Sequence, residues 1–189
     1  MANDCCGILK VVTKNRNVLE RIKKIFNYED DEYCLYRVRN FEEEGGMYED
    51  GEWFVQDFFI DGAWSCEPFL NHGNHPEDKL VIGYEKDENG REDYTKKVYG
   101  TAHFTDLSHL AKVLGFGCEF WTEEPGMMFA EHGLVNHNGH YEYDTEDYEI
   151  SYPENEDGDC DYDHPIEKCG FGEDWKEWMY ADEIYGDNQ

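Results

Sequence analysis

Ile8-Leu9-Lys10-Val11-Val12-Thr13 runs straight into Lys14-Asn15-Arg16-Asn17-Val18-Leu19-Glu20-Arg21-Ile22-Lys23-Lys24-Ile25-Phe26, and the fold turns on this stretch. The first six residues are rich in β-branched side chains and stop at the polar pair Lys14-Asn15, which predicts a strand. From Asn17 the period changes. Val18, Leu19, Ile22, Ile25 and Phe26 fall at helical spacing, with Asn15 or Asn17 as N-cap. Strand followed by amphipathic helix opens an α+β layer, and the helix carries most of a basic block on its other face.

Reading outward, Tyr33 to Val38 predicts a second strand, and the acidic, glycine-containing Glu42 to Gly51 predicts a loop. Trp53 to Trp64 is apolar enough for a buried strand. Leu80 to Lys86 and Lys97 to Phe104 flank Asp87-Glu88-Asn89-Gly90, whose Asn-Gly signals a tight turn. Asp106 caps a short helix with an apolar face of Leu107, Leu110, Ala111 and Leu114, and Gly115 ends it. Cys118 to Trp121 and Met127 to Val135 read as strands. Asn138-Gly139 turns the chain back through Tyr141 to Tyr143. This order predicts an α+β sandwich, two helices on one face of a mainly antiparallel sheet. Residues 1–145 form that domain, and 146–189 form an acidic, aromatic-containing C-terminal extension with a short helix near Asp174 to Tyr180.

The charge excludes whole classes of function. The chain has 189 residues, 16 Lys+Arg against 45 Asp+Glu, and a formal net charge of −29. Such a molecule is repelled by DNA, RNA and anionic membranes at long range. The charge is also uneven. Residues 1–28 carry six bases and two acids, whereas residues 142–189 carry 18 acids and two bases, net −16. No apolar run is long enough to span a bilayer. The start lacks the pattern of a secretory signal, so the seven cysteines are expected to be reduced thiols in the cytoplasm of a host cell.

Leu107-Ser108-His109-Leu110-Ala111-Lys112, then Glu123-Glu124-Pro125-Gly126-Met127-Met128-Phe129-Ala130-Glu131, then Asn138-Gly139, resembles the C-terminal half of the YubB-like ferredoxin-like proteins of plasmids and phages. The resemblance covers residues 2–145 and is clearest over 107–143. Tyr99-Gly100-Thr101-Ala102-His103 stands where that family carries a Trp-Gly segment. The resemblance implies a ferredoxin-like core and a mobile-element origin, and it brings no catalytic residues.

Several constellations resemble known chemistry. Cys160, His164 and Cys169 are spaced C-x3-H-x4-C, near His132, His137 and His140, but no CxxC pair accompanies them, so no metal is assigned. Asp157, Asp159, Asp161 and Asp163 alternate like a calcium loop, yet Tyr162 stands where glycine is needed and Lys168 where glutamate is. Asn136-His137-Asn138-Gly139-His140 is explained by a hairpin tip. Cys118 has acidic surroundings, which oppose a reactive thiolate. No catalytic residue and no cofactor is expected.

The acid itself is the remaining signal. Duplex DNA presents a phosphate about every 3.4 Å along each strand. Carboxylates on alternate residues of an extended segment recur about every 6.6 Å, and interleaved segments approach the phosphate spacing. Asp144, Glu146, Asp147, Glu149, Glu154, Glu156, Asp157, Asp159, Asp161 and Asp163 have the required density, with Glu29 to Glu32 and Glu42 to Glu44 extending the stripe. Tyr162, Trp175 and Trp178 are the expected aromatic anchors. The expectation is a phage or plasmid anti-defence inhibitor that mimics DNA and fills the basic groove of a host DNA-targeting nuclease. A CRISPR effector is the preferred partner and a restriction–modification complex the next. An accessory protein-binding module with incidental acidity, or a small Cys/His metal-dependent enzyme, are the alternatives.

Overall fold

The structure, a computed structural model, describes residues 4–154, 159–173 and 175–176. β1 (Asp4–Thr13) is the hinge of the architecture. It pairs antiparallel with β4 (Trp53–Ala63) on one side and β7 (Phe116–Glu124) on the other, so that Lys10 faces Asp57 across one seam and Glu119 across the other. β3 (Val38–Asp50) adds beyond β4. β8 (Phe129–Val135), β9 (Tyr141–Ser151) and β10 (Ile166–Cys169) add beyond β7. The result is a curled seven-stranded sheet in the order β10-β9-β8-β7-β1-β4-β3. A separate three-stranded sheet, β2-β6-β5, joins β2 (Tyr33–Leu35), β6 (Glu92–Thr105) and β5 (His75–Lys86).

Side chains alternate across a strand, so each strand of the large sheet has two faces. Leu9 and Val11, Phe58 and Ile60, and Phe116, Cys118 and Phe120 all point to one of them. Three helices cover that face: α1 (Arg16–Phe26), α2 (Glu67–Leu70) and α3 (Leu107–Leu114). Val18, Leu19, Ile22, Ile25 and Phe26 of α1 are buried there, the set that the helical spacing picks out. Each such side chain contributes about 1.5–3 kcal/mol by leaving water. Asn15 caps α1 by accepting from the Asn17 amide at 3.1 Å. Asp106 caps α3 by accepting from the His109 amide at 2.7 Å, and Gly115 closes it at φ +74°, a left-handed position.

The ferredoxin-like reading is overturned. The described chain is 57% strand and 14% helix, and α1 does not return the chain to the large sheet. It leads instead to β2, which pairs parallel with β6 in the smaller sheet. The ferredoxin-like core implied by the YubB-like resemblance falls with it. A segment read as a loop and the start of the C-terminal extension are strands. Glu42 to Asp50 belongs to β3, with Glu42, Glu43 and Glu44 opposite Phe59, Phe58 and Asp57 and a register shift before Tyr48. The chain after Glu146 continues in β9 to Ser151 and is joined by β10, so a strand runs across positions 145–146. Conversely, Tyr33 to Val38 is broken at Arg37, φ +64°, between β2 and β3. The helix expected near Asp174 to Tyr180 lies outside the described residues apart from Trp175 and Lys176.

Candidate functional site

The opposite face of the large sheet carries none of the three helices. By register its side chains are Glu42 and Glu44 of β3, Asp57 and Asp61 of β4, Lys10 of β1, Glu119 and Glu123 of β7, His132 of β8, and Glu142, Asp144 and Glu146 of β9. Nine carboxyl side chains therefore share this face. Because the sheet curls, the middle of this face is buried even without a helical layer. Val12, Val55 and Leu134 form a small apolar cluster, and Trp121, Ala130, Tyr148 and Trp175 form another.

Buried charge on this face comes in pairs, as the cost of desolvation requires. Lys10 Nζ lies 3.0 Å from Asp57 Oδ1 and donates to the Tyr48 hydroxyl at 3.1 Å. Burial works against the Lys10 ammonium, but Tyr48 and Asp57 more than offset it, so its pKa stands above the ordinary lysine value. Glu119 is wholly buried, with Oε1 2.7 Å from His132 Nε2. His132 stacks on Trp121 at 4.0 Å between ring centroids. Burial raises the Asp61 carboxyl, with Arg39 opposing.

A cavity of about 460 Å³ opens in the same face over β4, β1 and β7. Phe59, Trp121 and Trp175 give it aromatic walls, and Glu44, Asp57 and Glu123 give it carboxylates. Lys176 lies at its rim, 2.8 Å from Glu123 Oε2 and over the Trp175 ring at 4.6 Å. Burial raises the Cys6 thiol in the cavity wall, and the Glu123 and Asp61 carboxylates raise it further.

A second polar cluster is sealed beneath α2 on the helical side. Glu131 is wholly buried and accepts from Cys5 Sγ at 3.0 Å, the Cys66 amide at 2.8 Å, Thr122 Oγ1 at 2.9 Å, Tyr143 OH at 2.6 Å and Ser65 Oγ. Cys5, Cys66 and Glu131 lie close enough to hold one ion. Burial and the neighbouring Cys5, however, push the Cys66 thiol well above its ordinary range, away from the thiolate that metals need. The donors already fill the lone pairs of Glu131, so the cluster is a structural tie between β1, α2, β7, β8 and β9.

The expected site residues are scattered over several settings. Asp144, Glu146, Asp147 and Glu149 are exposed along β9, and the register divides them: Asp144 and Glu146 on the open face, Asp147 and Glu149 on the helical side. Glu154 is exposed and bridges to Cys160; Asp159 and Asp163 are exposed. Asp161 accepts from the Asp163 amide at 3.1 Å and pairs with His164 at 2.9 Å. Tyr162 is 71% exposed, beside Tyr152. Trp175 is 5% exposed and packs against Trp121 and Tyr148, so it belongs to the sheet's packing and is no protruding anchor. Glu156, Asp157 and Trp178 lie outside the described residues. Of the acids expected to extend the stripe, Asp30 and Glu32 are taken up by Arg21. Glu42 and Glu44 stand at the opposite sheet edge from β9.

Cys160, His164 and Cys169 are not brought together as ligands among the described residues, and neither are His132, His137 and His140. His137 stacks on Trp53, and His140 faces Glu142. Asn138-Gly139 is a hairpin tip, with Asn136 Oδ1 accepting from the amides of Asn138 and His140. Cys118 is buried, and desolvation raises its thiol. The cavity and the pairs Lys10–Asp57 and Glu119–His132 were missed in the sequence. Their only trace there is that β1 and β7 keep a charged residue in the middle of an apolar run.

Fold and face together define a curled antiparallel sheet protein, helical on one side and acidic on the other. No protein-family model, no curated protein and no solved structure matches the chain. No described helix is long and apolar enough to cross a membrane.

Proposed function

We propose that this chain is a non-enzymatic inhibitor that lays the open, acidic face of its large sheet into the basic groove of a DNA-targeting nuclease. The observation that carries the reading is the regular spacing of carboxylates along two strands of this face. Glu142, Asp144 and Glu146 alternate along β9 on the open face, and Glu42 and Glu44 do so along β3. Alternate carboxylates on a strand stand about 6.6 Å apart, close to twice the phosphate spacing along one DNA strand. Long-range attraction would speed association, and the pocketed centre of the face would set the residence time. A mobile-element origin, implied by the YubB-like resemblance, makes an anti-defence role the natural one. A CRISPR effector nuclease is the preferred target, and a restriction complex the next.

The test is inhibition of DNA cleavage by a panel of purified CRISPR effectors and restriction enzymes. The wild-type chain is compared with a triple variant, Glu142→Gln, Asp144→Asn and Glu146→Gln. Inhibition that DNA competes away, that fades between 50 and 200 mM salt, and that drops at least tenfold in the variant is the expected result. Unchanged inhibition by the variant overturns the placement on β9. No inhibition of any enzyme overturns the reading.

A further inference from the structure

The cavity in the open face has features that a merely solvating surface does not need. It joins aromatic walls, Trp121 among them at only 4% exposed, to the carboxylates of Glu44, Asp57 and Glu123. The volume, about 460 Å³, suits a side chain with part of its main chain. Glu44 is exposed at the rim and holds no ion pair among the described residues.

Lys176 shows what kind of group this place accepts. Its ammonium pairs with Glu123 at 2.8 Å and lies over the Trp175 ring, yet the side chain is 53% exposed and its second carboxylate, Glu167, is 3.8 Å away. A cation held by one close carboxylate and one aromatic face, half in water, is displaceable. A guanidinium presents a planar fork that binds a carboxylate through two parallel hydrogen bonds and stacks on indole better than an ammonium does.

We propose that the cavity is the anchor pocket for an arginine side chain of a basic protein partner, which displaces Lys176 from Glu123. This inference rests on the proposed docking of the open face into a basic groove, and it names the contact at the centre of that interface. The pocket lies over β7, two strands from the carboxylates of β9, about 10 Å at ordinary strand spacing. Partner residues on one surface therefore reach both.

The experiment titrates the full chain by calorimetry with a capped hexapeptide carrying arginine at alternate positions. Counterparts carry lysine or citrulline. The arginine peptide should bind at least tenfold more tightly than the citrulline peptide and several-fold more tightly than the lysine peptide. Glu123→Gln should weaken it at least tenfold. Lys176→Met, which removes the competitor, should tighten it about three- to tenfold. Lys168→Met removes the same charge from β10 outside the pocket and should change affinity less than twofold. Far-UV circular dichroism confirms that each variant is folded. Equal binding of the citrulline peptide, or equal effects of the two lysine variants, overturns the proposal. Inhibition by Glu123→Gln at wild-type strength sinks the anchor and leaves the docking reading standing. Arginine binding by a chain that inhibits no nuclease does the reverse.

Discussion

Glu119 Oε1 lies 2.7 Å from His132 Nε2, and the two residues, 0% and 7% exposed, bridge β7 and β8 in the centre of the open face. The second oxygen, Glu119 Oε2, has no hydrogen-bond partner among the described residues. A buried carboxylate deprived of its partner is costly, whereas replacing both partners by apolar groups is often close to neutral. His132→Phe alone should therefore cost about 3 kcal/mol, and Glu119→Leu with His132→Phe should recover most of it. Urea unfolding of the single and double variants reads the difference. A double variant as unstable as the single would mean that the pair supplies net stability.

The sealed cluster around Glu131 should respond differently. Its carboxylate accepts from five donors, namely Cys5, Ser65, the Cys66 amide, Thr122 and Tyr143. Glu131→Gln preserves shape but puts an NH2 against groups that donate. The expected loss is about 2–4 kcal/mol, the cost of several unpaired or clashing buried donors. Amide hydrogen exchange at Cys66 should rise by the same free energy, since that amide donates directly to Glu131. An unchanged exchange rate would mean that α2 is held by its apolar contacts alone.

Residues whose pattern is periodic were legible. α1 follows from Val18, Leu19, Ile22, Ile25 and Phe26, and α3 from Asp106 at one end and Gly115 at the other. The hairpin turns at Asn89-Gly90 and Asn138-Gly139 also stand where their dipeptides place them, both glycines at positive φ. The acidic strands were not legible for a physical reason. An edge strand wets both faces, so Glu42, Glu43 and Glu44 of β3 lose the apolar/polar alternation that marks a half-buried strand. β9 hides in the same way, since of its central residues only Tyr148 is buried. With Glu42 to Gly51 read as a loop and β9 read only over Tyr141 to Tyr143, the remaining order suggested two helices on one face of a mainly antiparallel sheet.

The candidate site was legible in charge and illegible in place. Composition shows the excess acid, but which carboxylates share a face depends on register, and register needs the strands. Trp175 illustrates the limit. An aromatic residue in an acidic segment reads as a free anchor, yet it packs on Trp121 from β7, more than fifty positions earlier.

Acid stability should be set in part by Arg21. Its guanidinium donates to Asp30 Oδ2 at 3.0 Å and to Glu32 Oε2 at 2.7 Å. Burial alone would raise the Asp30 carboxyl, but Arg21 and the amides of Tyr33 and Glu32 outweigh it and hold the pKa below the ordinary value. A carboxyl depressed on folding stabilises the protein above its unfolded pKa, and that contribution is lost as pH falls through the folded pKa. Asp30→Asn should thus cost about 1–2 kcal/mol at pH 7, and less and less as pH falls below the ordinary carboxylate range.

Asp61 carries the opposite sign. Burial raises its carboxyl, so its contribution is present at low pH and lost as pH rises through the folded pKa. Its Oδ1 also lacks a hydrogen-bond partner among the described residues. Asp61→Asn should therefore stabilise at pH 7 and leave stability unchanged near pH 3. Thermal unfolding across pH checks both variants, and parallel curves for the two would refute the assignment.

Gly7 offers the sharpest test of the β1–β7 seam. It pairs with Thr122, and a Cβ at Gly7 would run into the Trp121 carbonyl oxygen, with Thr122 Cα only 2.8 Å away. The obstacles are backbone atoms, which cannot swing aside as a side chain does. Gly7→Ala should cost about 3 kcal/mol or more, as overpacking against a fixed wall does. Gly46, in the irregular stretch of β3, has nothing within 4 Å of such a Cβ and no positive φ. Gly46→Ala should stabilise by about 0.4–1 kcal/mol, through the unfolded chain. For a chain of this size each kcal/mol shifts Tm by about 2–4 °C, so the two variants should lie roughly 10 °C apart. Since the strand displaced by Gly7→Ala carries Trp121, the same variant should also lose affinity for the arginine peptide. A Gly7→Ala protein with wild-type Tm would show that β1 and β7 are not packed as closely as Gly7 and Thr122 require.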